Sequence, residues 1–170
     1  MEYKASLDTV AKIITVGTIV LFLFLGYRSI RVLMFSQGDT TAMLIHSGVL
    51  VLFVALIVGC YLFAPHYYRV ENNNLIIVRP ASNKTIKLSD IEVIRPVENS
   101  EMLGAVRTFG NGGLFGYFGK YYYPKIGNVN LYASQRKNRI LIETKQGLKF
   151  IITPDDQSII ENIKGKTGVR

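Results

Sequence analysis

Three hydrophobic patterns divide the chain. Residues 10–27 are apolar apart from Lys12, and 42–64 are apolar apart from His46. Runs of about 18 and 23 residues are long enough for helices that cross a hydrocarbon core of about 30 Å. No small-residue cleavage site follows Tyr27, and a second full-length run comes after it, which argues against a signal peptide. Residues 1–65 are therefore predicted to be a two-helix transmembrane anchor, with spans at about 10–27 and 42–64. Arg28 and Arg31 suit a first helix that continues to Phe35 while the two side chains reach for head groups. Tyr61, Phe63, His66, Tyr67 and Tyr68 cluster where the second span should leave the bilayer, as an aromatic belt would.

After Pro65 the period drops to two, with frequent turn signals. Strands are expected at 66–71, 75–79, 84–88, 91–97, 129–134, 139–144 and 148–153. Asn72-Asn73-Asn74 reads as a tight hairpin turn. Lys145-Gln146-Gly147 is expected to close the last hairpin, and Gln135-Arg136-Lys137-Asn138 the one before it. The end of the chain changes period again. Thr153-Pro154-Asp155-Asp156 looks like a helix start, Ile159, Ile160 and Ile163 share a face, and Gly165 is placed as the stop. The expected fold class is a membrane α-helical hairpin plus an all-β domain, barrel or sandwich, over 66–165. One C-terminal α-helix at about 154–164 plugs an open end, and 166–170 form a tail. No linker separates the second span from the first strand, so the domain should press directly on the bilayer.

Charge narrows the surroundings. Almost all of the formal +8 lies after Pro65, which favours anionic partners. Lys4, Lys12, Arg69, Arg79 and Lys84 flank the helices on the terminal side, against Arg28 and Arg31 in the connecting loop. The positive-inside bias places both termini in the cytoplasm. The lone Cys60 excludes an intramolecular disulfide and any cysteine-based zinc site. His46 and Lys12 lie near span ends without an acidic partner inside either span, which argues against a proton relay.

Six glycines fall between Gly104 and Gly119, interleaved with Phe109, Phe115, Tyr117 and Phe118. A phosphate loop is excluded, because Leu114 and Tyr121 occupy the positions that need glycine and a hydroxyl next to lysine. Two readings stay open. One is a bulged, glycine-bent excursion whose aromatics fold back onto the barrel core. The other is an exposed aromatic–basic surface for a partner protein or for lipid. That surface would consist of Phe115, Tyr117, Phe118, Lys120, Tyr121, Tyr122, Tyr123 and Lys125, extended by Arg136, Lys137 and Arg139. Such a mixture also suits single-stranded nucleic acid, but a domain held at a bilayer without a linker has little access to it.

Leu75-Ile76-Ile77, Ile86-Lys87-Leu88-Ser89-Asp90-Ile91, the glycine–aromatic run 110–119, Tyr132-Ala133-Ser134 and Ile151-Ile152-Thr153-Pro154-Asp155-Asp156 together carry a resemblance. Residues 66–165 are similar to a bacterial pleckstrin-homology-like (PH-like) domain family found behind one or two membrane helices. The resemblance implies an interaction module in the bacterial inner membrane rather than a reaction. Phosphoinositide-binding members place Lys and Arg on the first two strands and their loop. Here that loop is Asn72-Asn73-Asn74 beside Glu71, which argues against specific phosphoinositide binding. Both histidines lie in or beside the membrane, and no Asp/Glu/His cluster has metal-ligand spacing, so neither enzyme nor cofactor is expected. The preferred expectation is an accessory or scaffold subunit bound to a membrane-protein partner or to copies of itself. Binding of anionic lipid head groups is the alternative.

Overall fold

The computed structural model describes residues 1–35 and 39–167. Of the expected tail, residues 168–170 lie outside the described residues, while Lys166 and Thr167 belong to the last helix. Two long helices come early, α1 (Thr9–Phe35) and α2 (Thr40–Phe63). Asp39 caps α2 by accepting from Ala42 N at 3.0 Å. Both are long and apolar enough to cross a membrane. They pack on one another through stacked Phe22 and Phe53 rings, 4.2 Å apart, and through His46 against the Ser29 hydroxyl. No residue of α2 is buried, and in α1 only Ala11, Thr15, Gly26 and Ser29 are. A core helix of a water-soluble domain would hide an apolar stripe; these do not.

The strands are β1 (Glu2–Lys4), β2 (Tyr67–Glu71), β3 (Asn74–Val78), β4 (Lys84–Lys87), β5 (Ile91–Pro96), β6 (Val106–Gly113), β7 (Gly116–Tyr123), β8 (Gly127–Ala133), β9 (Ile140–Thr144) and β10 (Lys149–Ile152), and helix α3 (Ile159–Thr167) follows. They form a four-stranded sheet ordered β1-β2-β3-β4 and a six-stranded sheet ordered β5-β9-β10-β8-β7-β6. The sheets make an open sandwich, and no closed barrel forms among the described residues.

Several expectations are corrected. Residues 2–4, grouped with the anchor by hydrophobic pattern, pair antiparallel with β2, Tyr3 opposite Tyr68. Most of the Gly104–Gly119 segment, expected as a bulged, glycine-bent excursion, pairs as a hairpin, β6–β7, with a bulge between Arg107 and Phe109, and it widens the second sheet. The 135–138 segment does not close a hairpin. It joins β8 to β9, and β10 lies between them, antiparallel to β9 and parallel to β8. The last helix begins at Ile159, not at Pro154, and continues through Gly165. The 153–156 segment is held elsewhere: Thr153 Oγ1 accepts from Ser134 N, and Asp155 accepts from Ser6. Asp156 then accepts from Ser158 N at 2.8 Å, just before the helix.

Two-sided burial explains the second sheet. Ile140, Ile142, Phe150 and Ile152 face the main core shared with β2, β3 and α3. Leu141 and Ile151 face a second cluster with Val129 and Leu131. Strands covered on both faces read as unbroken apolar runs rather than alternation. Each fully buried Ile or Leu contributes about 1.5–3 kcal/mol. Tyr68 is completely buried and ties the sheets together, its hydroxyl donating to Tyr132 O at 2.7 Å and accepting from Thr153 N at 3.1 Å.

Candidate functional site

Strand β7 alternates, and its alternation decides where the predicted aromatic–basic residues go. Tyr121 and Tyr123 turn inward and join the second core cluster, with Tyr117 packed against it. Burial, and then the neighbouring Asp8 charge, pushes the Tyr117 phenol up to about 12; burial likewise pushes Tyr123 up to about 12. Arg136 and Arg139 rim a recess on this side, where burial pulls the Arg139 guanidinium below its ordinary value. Phe118, Lys120 and Tyr122 project to the other face of the strand. Phe115 sits in the β6–β7 turn, its ring edge-on to Tyr61 of α2 at 5.6 Å. Lys125 lies exposed in the β7–β8 turn and Lys137 exposed in the β8–β9 connection. The eleven residues therefore form no single surface.

Tyr117 and Arg136 are both held by one carboxylate. Asp8 accepts from Ala11 N at 2.7 Å, from Tyr117 Oη at 3.1 Å, and from Arg136 through its backbone N at 3.1 Å and Nε at 3.2 Å. Burial raises the Asp8 carboxyl, but the hydrogen bonds together outweigh it and hold the group below its ordinary 3.8. The start of α1 is thereby fastened to β7 and to the β8–β9 connection.

The β6–β7 tip is fastened as well. Thr15 Oγ1 of α1 accepts from Phe115 N at 2.9 Å and donates to Gly113 O at 3.4 Å. The Asn111 carboxamide closes the turn, donating to Leu114 O and Gly116 O while accepting from Leu114 N. The hairpin thus reaches back along the helices. Gly110 and Gly119 face one another at φ +124° and +129°, and a Cβ on either would meet the opposite carbonyl oxygen at 2.2 Å.

The outer face of this hairpin and the C-terminal turns of α2 enclose a cleft of about 580 Å³. Ala55, Leu56, Gly59, Cys60 and Phe63 form the helix wall; Phe109, Phe118 and Tyr132 stand opposite. Arg79 and Lys120 supply the charge, and among the described residues no acidic side chain lines the cleft. Arg79 donates from Nε to Ser82 O at 2.8 Å and from Nη2 to Ser82 Oγ at 3.0 Å. Its guanidinium stacks near Tyr132 and Phe63, 5.3 and 5.7 Å from the ring centres. Among the described residues no carboxylate pairs with Arg79 or Lys120.

Sequence reasoning placed Phe118 and Lys120 in the candidate surface but missed Arg79, Phe109 and the α2 wall. The period-two rule applied to β7 was the available signal: it separates Phe118, Lys120 and Tyr122 from Tyr117, Tyr121 and Tyr123. Nothing local in the sequence brings Gly59 to face Phe118. Among the described residues no group of His, Cys, Asp or Glu is placed to hold a metal ion.

A family described as bacterial PH domain matches residues 66–166. No curated protein and no solved structure matches the chain. The match covers more than half of the sequence, from β2 into α3 and leaving out β1, and the chain belongs to the bacterial PH-domain family.

Proposed function

We propose that this protein is a membrane-anchored interaction module, a small accessory or scaffold subunit of an assembly in the bacterial inner membrane. In this reading α1 and α2 cross the bilayer and both termini lie in the cytoplasm. Both apolar helices leave most of their side chains exposed and bury few residues, which supports insertion. The pairing of β1 with β2 supports a hairpin, because the strand before α1 and the strand after α2 meet at the same end.

One observation carries the interaction role. Strand β6 is an outer edge of its sheet, and it and the loop before it expose apolar side chains: Leu103 is 71% exposed and Val106 56%. Tyr122, directly opposite Val106, adds to the same patch. Natural sheets blunt such edges with charge, proline, bulges or a covering element; β6 has the exposed Arg107 and a bulge beside it, but among the described residues no strand covers its outer side. An uncovered apolar edge beside two membrane helices suits docking of a neighbouring membrane protein, which would bury the edge and the helix flank together.

A photoreactive amino acid replacing Val106 should cross-link, in native membranes, to a second polypeptide. The same adduct should migrate well above 19 kDa, the mass of the chain being 19.1 kDa. An adduct of exactly doubled mass identifies a second copy as the partner. Adducts with lipid alone, or none, would sink the proposal.

A further inference from the structure

We infer that the cleft between α2 and the β6–β8 face seats one anionic phospholipid of the surrounding bilayer, its phosphate at Arg79 and Lys120 and an acyl chain along α2. The inference rests on the membrane insertion proposed above, and it uses the part of the hairpin face that lines the cleft with α2, between Phe109 and Lys120, and not the Leu103, Val106 and Tyr122 patch.

The two walls differ in chemistry in the way a lipid does. The α2 wall is wholly apolar and open at Gly59, where an added Cβ would meet no atom within 4 Å. Water in such a space gains few hydrogen bonds, whereas a hydrocarbon chain fills it favourably. The volume, about 580 Å³, is in the range of small-molecule sites. At the other end Arg79 is already oriented. Two of its five N–H donors are spent on Ser82 and two rings hold its plane, leaving about three donors for an oxyanion. Arg79 follows β3 directly, at the level where α2 leaves the apolar run, which is the depth of lipid phosphates. Lys120 adds a second cation, with no carboxylate paired to it among the described residues. The absence of acidic lining also sets a preference, since the ammonium of a zwitterionic head group would find no counter-charge.

The test uses the full-length chain. Membranes are first washed with alkaline carbonate. The protein is then extracted in mild detergent and offered phosphatidylglycerol or phosphatidylethanolamine at equal concentration, with bound lipid counted by native mass spectrometry. One phosphatidylglycerol should be retained in preference. Arg79→Ala should reduce its retention about tenfold, as loss of a charge-assisted pair does, and Arg79→Lys should restore much of it. Gly59→Leu, placed in open space, should exclude both lipids without disturbing the thermal unfolding of the domain. If Arg79→Ala does not fold, Lys120→Ala together with Gly59→Leu decides the matter. Release by carbonate overturns the membrane anchoring and the lipid site with it. Retention in the membrane with no preference between the lipids, or with phosphatidylglycerol binding unchanged by the variants, overturns the lipid site alone.

Discussion

Asp8 stands one residue before α1 and accepts hydrogen bonds from α1 itself, from β7 and from the β8–β9 connection. It is at once a helix cap and a clasp. Replacing it by alanine removes the cap and should cost about 1 kcal/mol. Because its carboxyl lies below the ordinary 3.8 in the folded protein, its charge stabilises the fold fully above that value and loses its effect as pH falls through the folded value. Asparagine keeps an acceptor for Ala11 N but no charge for Arg136. The stability difference between the native chain and Asp8→Asn should therefore be present at pH 7 and diminished at a pH well below 3.8. Thermal unfolding in detergent at both values measures it; a difference that persists in acid would refute this account. The exposed pairs, such as Glu2 with Arg69 at 2.7 Å, are expected to add little.

At the scale of elements, the β6–β7 hairpin is the part least visible in sequence and most constrained in space. Hydrophobic alternation reveals a strand only where side chains alternate, and five glycines within the hairpin erase the signal. At Gly110 and Gly119 the two strands approach too closely for any Cβ. Gly119→Ala should force the strands apart and strain a φ of +129°, costing about 1–3 kcal/mol. It should also loosen the tip from Thr15, so amide exchange in residues 111–116 should quicken more than in β9 and β10. Equal protection in both regions would mean that the hairpin is not held by this glycine pair. Strand β1 escaped prediction for a simpler reason: its three residues are too few to show a period. By contrast, Asn72 and Asn73 take φ of 48° and 59°, as the Asn-rich turn between β2 and β3 predicts.

The whole molecule is a domain locked onto its helices rather than tethered to them. β1 on β2, Asp8 on Arg136 and Thr15 on the hairpin tip join the two parts at separate places. If the helices cross the bilayer as proposed, the domain has one fixed orientation and height. In a Cys60→Ala background, a cysteine replacing the exposed Ser158 should resist a membrane-impermeant maleimide in intact cells and react once the inner membrane is opened. Labelling in intact cells would place the domain outside and reverse the orientation drawn from charge.

The sequence by itself determined the two apolar helices, the β-rich domain behind them, its family and several turns. These follow from local runs, local period and turn residues that act over a few positions. Only the tertiary structure decided that the sandwich is open, that β10 divides β8 from β9, and that Asp155 receives Ser6 instead of starting a helix. It also split the predicted aromatic–basic surface between a core and a cleft. Those outcomes depend on which distant segments meet, and the free energy of such meetings comes from burial and hydrogen bonds between residues far apart in the chain, which no local pattern records.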